Sequence, residues 1–147
     1  MFKEQRVTFE TAKLLKGKVF NVGVHGCYTE YLVTQVDPEY PNGGGPFGMT
    51  AGEVTLDSDY MVNNHNGIDY SCKTYIRYAA PTQSLLQRWL REEHKIDIFL
   101  GKGGEDGSKY HAEDITKGGV IVIEDSEMFP TYEEALEKGL QEALKLI

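Results

Sequence analysis

The sequence is poor in cysteine. Its two cysteines, Cys27 and Cys72, are widely separated in a chain of 147 residues and form no C-x-x-C pattern. This usage is typical of a reducing compartment and argues against a disulfide-rich scaffold. A single bridge between the two cysteines stays open, because their separation along the chain does not give their distance in space.

The sequence also lacks an excess of basic charge. It has 15 lysines and arginines against 23 aspartates and glutamates, which gives a net charge of −8. Because an acidic surface repels phosphate, we expect no binding to duplex nucleic acid through a basic patch and no attachment to a membrane. The charge favours solubility, and a decoy that offers acidic groups to a basic protein is a less favoured interpretation.

Long hydrophobic runs are missing as well. No stretch approaches the ~20 apolar residues that span a bilayer, and the first residues lack the pattern of a secretory signal. We therefore expect a cytoplasmic protein. Hydrophobic residues still make up 40% of the chain, and its length fits one domain of roughly 100–150 residues. The length and composition predict a single domain over residues 1–147.

Three segments carry the signals of helices. The strongest is residues 80–94, where Pro81 and Thr82 begin the helix and apolar residues recur at helical spacing. Residues 131–147 begin with a capping box formed by Thr131 and Glu134. Residues 8–16 form a short helix that needs tertiary packing to hold it.

Strand-forming residues fill the intervals between these helices. The predicted strands are residues 28–36, 73–79, 95–100, 108–115 and 120–123, with a short strand at 53–56 as an addition. Residues 120–123 are apolar on both faces, which predicts a central strand. Residues 38–52 are rich in glycine and proline and predict a mobile loop. The predicted fold class is α+β, with a single antiparallel sheet of about four to five strands and three helices packed mainly on one face.

The three helical segments also carry a family resemblance. They read TFETAKLLK at residues 8–16, APTQSLLQRWLREEH at 80–94 and TYEEALEKGLQEALKLI at 131–147. In this order they resemble small uncharacterised proteins of phages and prophages of gut Bacteroidetes. The resemblance covers less than half of the chain and implies a phage origin and a location in the host cytoplasm. It implies no activity, so no catalytic residue is transferred.

Histidines and carboxylates provide the candidates for catalysis. The four histidines form no i,i+4 pair and no H-E-x-x-H motif, so we expect no metal site and no cofactor. The segment rich in aspartate and asparagine at 57–69 lacks the glycine and glutamate offsets of a calcium loop. A catalytic site would need His65 or His111 to act with a carboxylate such as Asp57 or Asp59.

Aromatic residues provide the candidates for contact with a partner. Trp89 is interpreted first as a core residue that anchors its helix. The alternative is an interface in which Trp89 acts with Tyr75 and Tyr78. Cys27, two residues after His25, is interpreted as a buried structural cysteine rather than as a nucleophile.

These observations predict a small acidic accessory protein of phage type that acts by protein–protein contact with a host or phage protein. The alternative is a small hydrolase or nuclease with a site of histidine and carboxylate. The first hypothesis predicts an exposed apolar patch, and the second predicts titratable side chains that converge in a pocket. The sequence leaves the oligomeric state open.

Overall fold

The computed structural model describes residues 4–20, 22–31, 53–63 and 75–147. These residues form three helices and six strands. In chain order they are α1 (Phe9–Lys16), β1 (Gly23–Tyr31), β2 (Val54–Asn63), β3 (Tyr75–Ala79), α2 (Gln83–His94), β4 (Ile96–Gly103), β5 (Lys109–Lys117), β6 (Val120–Glu124) and α3 (Tyr132–Leu144). The α+β class and the three helices are confirmed. The predicted loop at 38–52 lies outside the described residues.

The prediction of a single sheet is wrong. The strands form two three-stranded antiparallel sheets, with the orders β2-β1-β3 and β4-β5-β6. The chain divides into a terminal unit, Met1–Leu15 with Pro81–Ile147, and an internal unit, Lys16–Ala80. Each sheet lies within one unit. The alternation of apolar residues shows that a segment is extended, but it does not show which strand the segment pairs with.

In the internal unit, β1 is the central strand. Cys27 of β1 pairs with Asp57 of β2 on one side and with Ala79 of β3 on the other. The register between β1 and β2 shifts at Gly26, whose φ of 112° is a conformation that side chains disfavour. Cys27 is 1% exposed, which confirms a buried cysteine. Strand β2 extends from Val54 to Asn63 and is longer than the short strand predicted at 53–56.

In the terminal unit, α3 packs against β4 and β5. Ile98 of β4 pairs with Ile115 of β5, and both are buried. Gly139 of α3 lies close to β4, since a Cβ atom there would lie 2.7 Å from Cγ2 of Ile98. Glycine therefore lets the helix lie directly on the sheet.

The prediction that residues 120–123 form a central strand is wrong. Within the described ranges, β6 pairs with β5 alone and stands at the edge of its sheet. Val120, Ile121 and Val122 are exposed. The run of β-branched residues predicts that this segment is a strand. The position of the strand in the sheet depends on which other strands pair with it, and the run does not determine that pairing.

Threonine side chains begin the two longer helices as the sequence predicts. The hydroxyl of Thr82 accepts from the amide of Leu85, and that of Thr131 accepts from the amide of Glu134. Helix α2 ends at Lys95, whose φ of 56° reverses the chain into β4. These caps fix the residues at which the two helices begin and at which α2 ends.

Candidate functional site

The predicted catalytic residues are spread over both units. His111 lies on β5 of the terminal unit, whereas Asp57 and Asp59 lie on β2 of the internal unit. His65 lies outside the described residues. The structure therefore supplies no geometry that joins these four residues, and the hydrolase or nuclease hypothesis stays a prediction.

His111 lies over two glycines of β4. A Cβ atom at Gly101 would lie 2.8 Å from Cε1 of His111 and 3.0 Å from Oε2 of Glu113. One at Gly103 would lie 3.0 Å from Sδ of Met128 and 3.5 Å from Nδ1 of His111. The absence of side chains on these glycines leaves room for the imidazole. Its Nδ1 atom is buried and has no hydrogen-bond partner among the described residues.

The part of the chain that the structure describes contains neither a cluster of metal ligands nor a membrane-spanning helix. No group of three or more histidines, cysteines, aspartates or glutamates is arranged to hold a metal ion there. In the same residues, no helix has the length and apolar character that crossing a bilayer requires.

Where the structure describes their side chains, the predicted interaction residues are buried rather than exposed. Trp89 of α2 is 6% exposed and packs edge-on against His94, with 4.5 Å between ring centroids. Tyr78 of β3, in the internal unit, is 8% exposed and donates to Oε2 of Glu30 at 2.7 Å. Burial and this bond raise the pKa of Tyr78 to about 12. Tyr75 begins β3. The burial of Trp89 agrees with its interpretation as a core residue.

A buried carboxylate that the sequence analysis missed connects all three helices. Glu137 of α3 is 8% exposed. Its Oε1 atom accepts from the hydroxyl of Thr11 and from both the amide and the hydroxyl of Thr8, the last two at 2.7 Å. Its Oε2 atom accepts from Nε2 of Gln83 at 2.7 Å. Gln141 donates in turn to the Thr11 hydroxyl at 3.1 Å. Because protein donors satisfy both oxygens, this network holds the helices together rather than offering a site to a ligand.

A groove of about 310 Å³ adjoins this network, because Glu137 and Gln141 also line it. Its lining comprises Glu127, Phe129, Glu134, Glu137, Lys138 and Gln141. Nζ of Lys138 lies 3.2 Å from Oε1 of Glu142 and 3.8 Å from Oε2 of Glu127. The bond to Glu142 raises the pKa of Lys138, and bonds from Lys145 and Lys138 lower the pKa of Glu142. The ammonium group is therefore already neutralised by the protein's own carboxylates.

The most exposed apolar surface in the terminal unit is on β6. We call Val120, Ile121 and Val122 the apolar edge. Their exposed fractions are 66%, 50% and 45%, and they follow one another along an edge strand. Singly exposed apolar side chains are normal on protein surfaces, but a contiguous group on a strand edge is typical of a contact surface.

The two ends of the apolar edge carry opposite charges. At the start of β6, Lys117 pairs with Val120, and the amide of Gly118 donates to the carbonyl oxygen of Lys95. At the end of β6, Glu124 lies directly opposite Asp114. Like charges in directly opposite positions repel each other, so this acidic end favours a cationic neighbour.

Sequence reasoning identified β6 as a strand but placed it in the interior. The signal that could have located it is its surroundings, because glycines precede it and acidic residues follow it, as at solvent-exposed strand ends. Comparison of the chain with protein-family models, curated proteins and solved structures finds no match. The case for function therefore depends on the geometry of the chain itself.

Proposed function

We propose that the chain is a small acidic accessory protein of phage type that acts by protein–protein contact. The observation that carries the proposal is the apolar edge, where Val120, Ile121 and Val122 lie exposed on an edge strand. The resemblance of the three helical segments supports the phage origin. The contact surface is thus on β6 rather than around Trp89.

An edge strand binds a partner by two kinds of interaction. Its outer backbone N–H and C=O groups pair with an added strand, and its side chains pack against those of that strand. The burial of apolar surface contributes roughly 25 cal/mol per Å². Natural edge strands often block this addition with a lysine or proline, and positions 120–123 of β6 contain neither.

Val122 is the best position for a test. It has no partner in the register between β5 and β6, where the pairing passes from Ile123 to Ile121. A lysine there places a charge on the apolar edge without removing a paired residue of the ladder. The matched control is Val19→Lys in the internal unit, because Val19 is also an exposed valine, at 64%.

The experiment is capture of proteins from a bacterial host lysate on the immobilised wild type, on Val122→Lys and on Val19→Lys. The proposal expects a stoichiometric protein that the wild type and Val19→Lys retain and that Val122→Lys loses. The captured protein is then purified and its binding to the three baits is measured directly. Identical retention by Val122→Lys and Val19→Lys would contradict a contact through β6.

A further inference from the structure

We infer that the partner of the apolar edge is a second copy of this chain, paired antiparallel through β6. This inference rests on the proposed contact through β6 and names its occupant. The pairing joins β6 of one copy to β6 of the other and extends the sheet β4-β5-β6 to six strands. A two-fold axis then passes close to Val122, and the same surface serves both copies.

The distribution of charge along β6 favours an antiparallel second copy. Lys95 and Lys117 stand at the beginning of the strand, whereas Glu124, Asp125 and Asp114 stand at its end. In an antiparallel pair, the basic end of each copy lies next to the acidic end of the other. This arrangement gives two favourable contacts related by symmetry, and it supplies cations beside the repelling pair Asp114 and Glu124. A parallel pair would bring like charges together at both ends.

The side chains of β6 are suited to packing against their own copies. Val120 to Ile123 are all β-branched, and β-branched residues form favourable cross-strand pairs. The edge carries no central charge that would meet its symmetry mate at the two-fold axis. An identical strand therefore covers the apolar edge without burying an unpaired charge.

Pairing through β6 also stops at two copies of the chain. The opposite edge of the sheet is β4, which α2 packs against, and Nε2 of Gln87 donates to the carbonyl oxygen of Ile98 at 3.4 Å. Pairing of β6 with its own copy uses the same sheet edge in both molecules. It therefore leads to a dimer rather than a fibre.

The first measurement is the mass of the wild-type protein in solution, by light scattering and sedimentation over a range of concentrations. The inference expects twice the chain mass of 16.5 kDa. Val19→Lys should keep this mass. Val122→Lys should dissociate the dimer, because its two lysines meet near the axis. A wild-type protein that stays monomeric at several hundred micromolar would overturn the inference, and so would a dimer insensitive to Val122→Lys.

A charge exchange tests the antiparallel direction. Glu124→Lys reverses one charge at the acidic end and Lys117→Glu reverses one charge at the basic end, so each variant alone should raise the dissociation constant of the dimer at least about tenfold. An equimolar mixture of the two variants should restore dimerisation, because in the mixed dimer the two reversed charges lie at the same end and are opposite in sign. Failure of the mixture to recover dimers would overturn the antiparallel pairing. Circular dichroism and thermal unfolding of each variant show that the monomers remain folded.

The outcomes separate this inference from the proposed function. A monomeric wild type with a captured protein that depends on Val122 would overturn the self-pairing and keep the contact through β6. A monomeric wild type that captures no such protein would overturn both. Dimerisation with the expected response to the charge exchange supports the contact through β6 and identifies its occupant as a second copy.

Discussion

The carboxylate of Glu137, on the last helix, accepts hydrogen bonds at 2.7 Å from both the amide and the hydroxyl of Thr8, which precedes the first helix. A single acceptor thus satisfies donors at the N-terminal end of α1. The same carboxylate also binds Gln83 at the beginning of α2. Replacement of this one side chain therefore affects three helices.

Glu137→Ala should lower the free energy of unfolding by about 3 kcal/mol, because it removes the acceptor of two buried donors, the Thr11 hydroxyl and the Gln83 amide. Glu137→Gln should cost less, since it keeps one acceptor oxygen. Glu133→Ala is the control, because Glu133 is exposed and precedes Glu137 by one helical turn. Urea denaturation measures all three, and equal costs for the two alanine variants would contradict a structural role for the network.

Gly139→Ala should destabilise the terminal unit by about 1–3 kcal/mol, despite the higher helix propensity of alanine. The reason is the 2.7 Å separation between the added Cβ atom and Cγ2 of Ile98. A double-mutant cycle with Ile98→Ala, followed by thermal unfolding, measures the coupling. The cost of Gly139→Ala should shrink in the Ile98→Ala background, and additivity would show that the contact is absent.

The stability of the internal unit should fall as the pH rises above 10. The pKa of Tyr78 is raised from 10.0 to about 12, so the unfolded chain releases this proton at a lower pH than the folded chain. The stabilisation is fully present below pH 10 and is lost as the pH rises towards 12. Denaturation at a series of pH values should give a steeper decline for the wild type than for Tyr78→Phe. Parallel curves would mean that another group controls the decline.

Thr131→Ala should lower stability by about 1 kcal/mol, because it removes the side chain that accepts from the amide of Glu134 at 3.2 Å. Thr131→Ser keeps the hydroxyl and is the matched control. Thermal unfolding of the two variants distinguishes loss of the cap from a general effect of substitution. Equal melting temperatures for Thr131→Ala and Thr131→Ser would argue that the cap contributes nothing.

His111→Leu should leave the free energy of unfolding within about 1 kcal/mol of the wild type, because it removes a buried Nδ1 atom that has no hydrogen-bond partner in the described part of the chain. A loss well beyond this amount, measured by urea denaturation, would show that the imidazole makes an interaction essential to the fold.

Local signals in the sequence were sufficient for the helices. Thr82 and Thr131 cap the helices that the sequence predicts them to begin. These features depend on residues near one another in the chain. The division into two sheets depends on pairing between distant segments, which apolar alternation does not specify.

The sequence did not predict the buried carboxylate of Glu137 or the exposure of the apolar edge, because both depend on contacts between distant segments. Glu137 meets Thr8 across 129 residues of sequence, so no local pattern identifies it as a buried acceptor. Val120 and Ile121 have the composition of an interior strand, and their exposure follows from the position of β6 at an edge. Residue type alone could not separate a core strand from a contact surface.

The bond between Glu137 and Thr8 also has a consequence for folding during synthesis. The terminal unit contains residues that precede the internal unit in the sequence and residues that follow it. The hydrogen bonds between Glu137 of α3 and the threonines of α1 therefore form only after α3 has left the ribosome. Residues 16–80 have no such requirement. Contacts so distant in sequence slow folding, because the chain must close a long loop before they stabilise it. We expect the internal unit to become protected from proteolysis on the nascent chain before the terminal unit does.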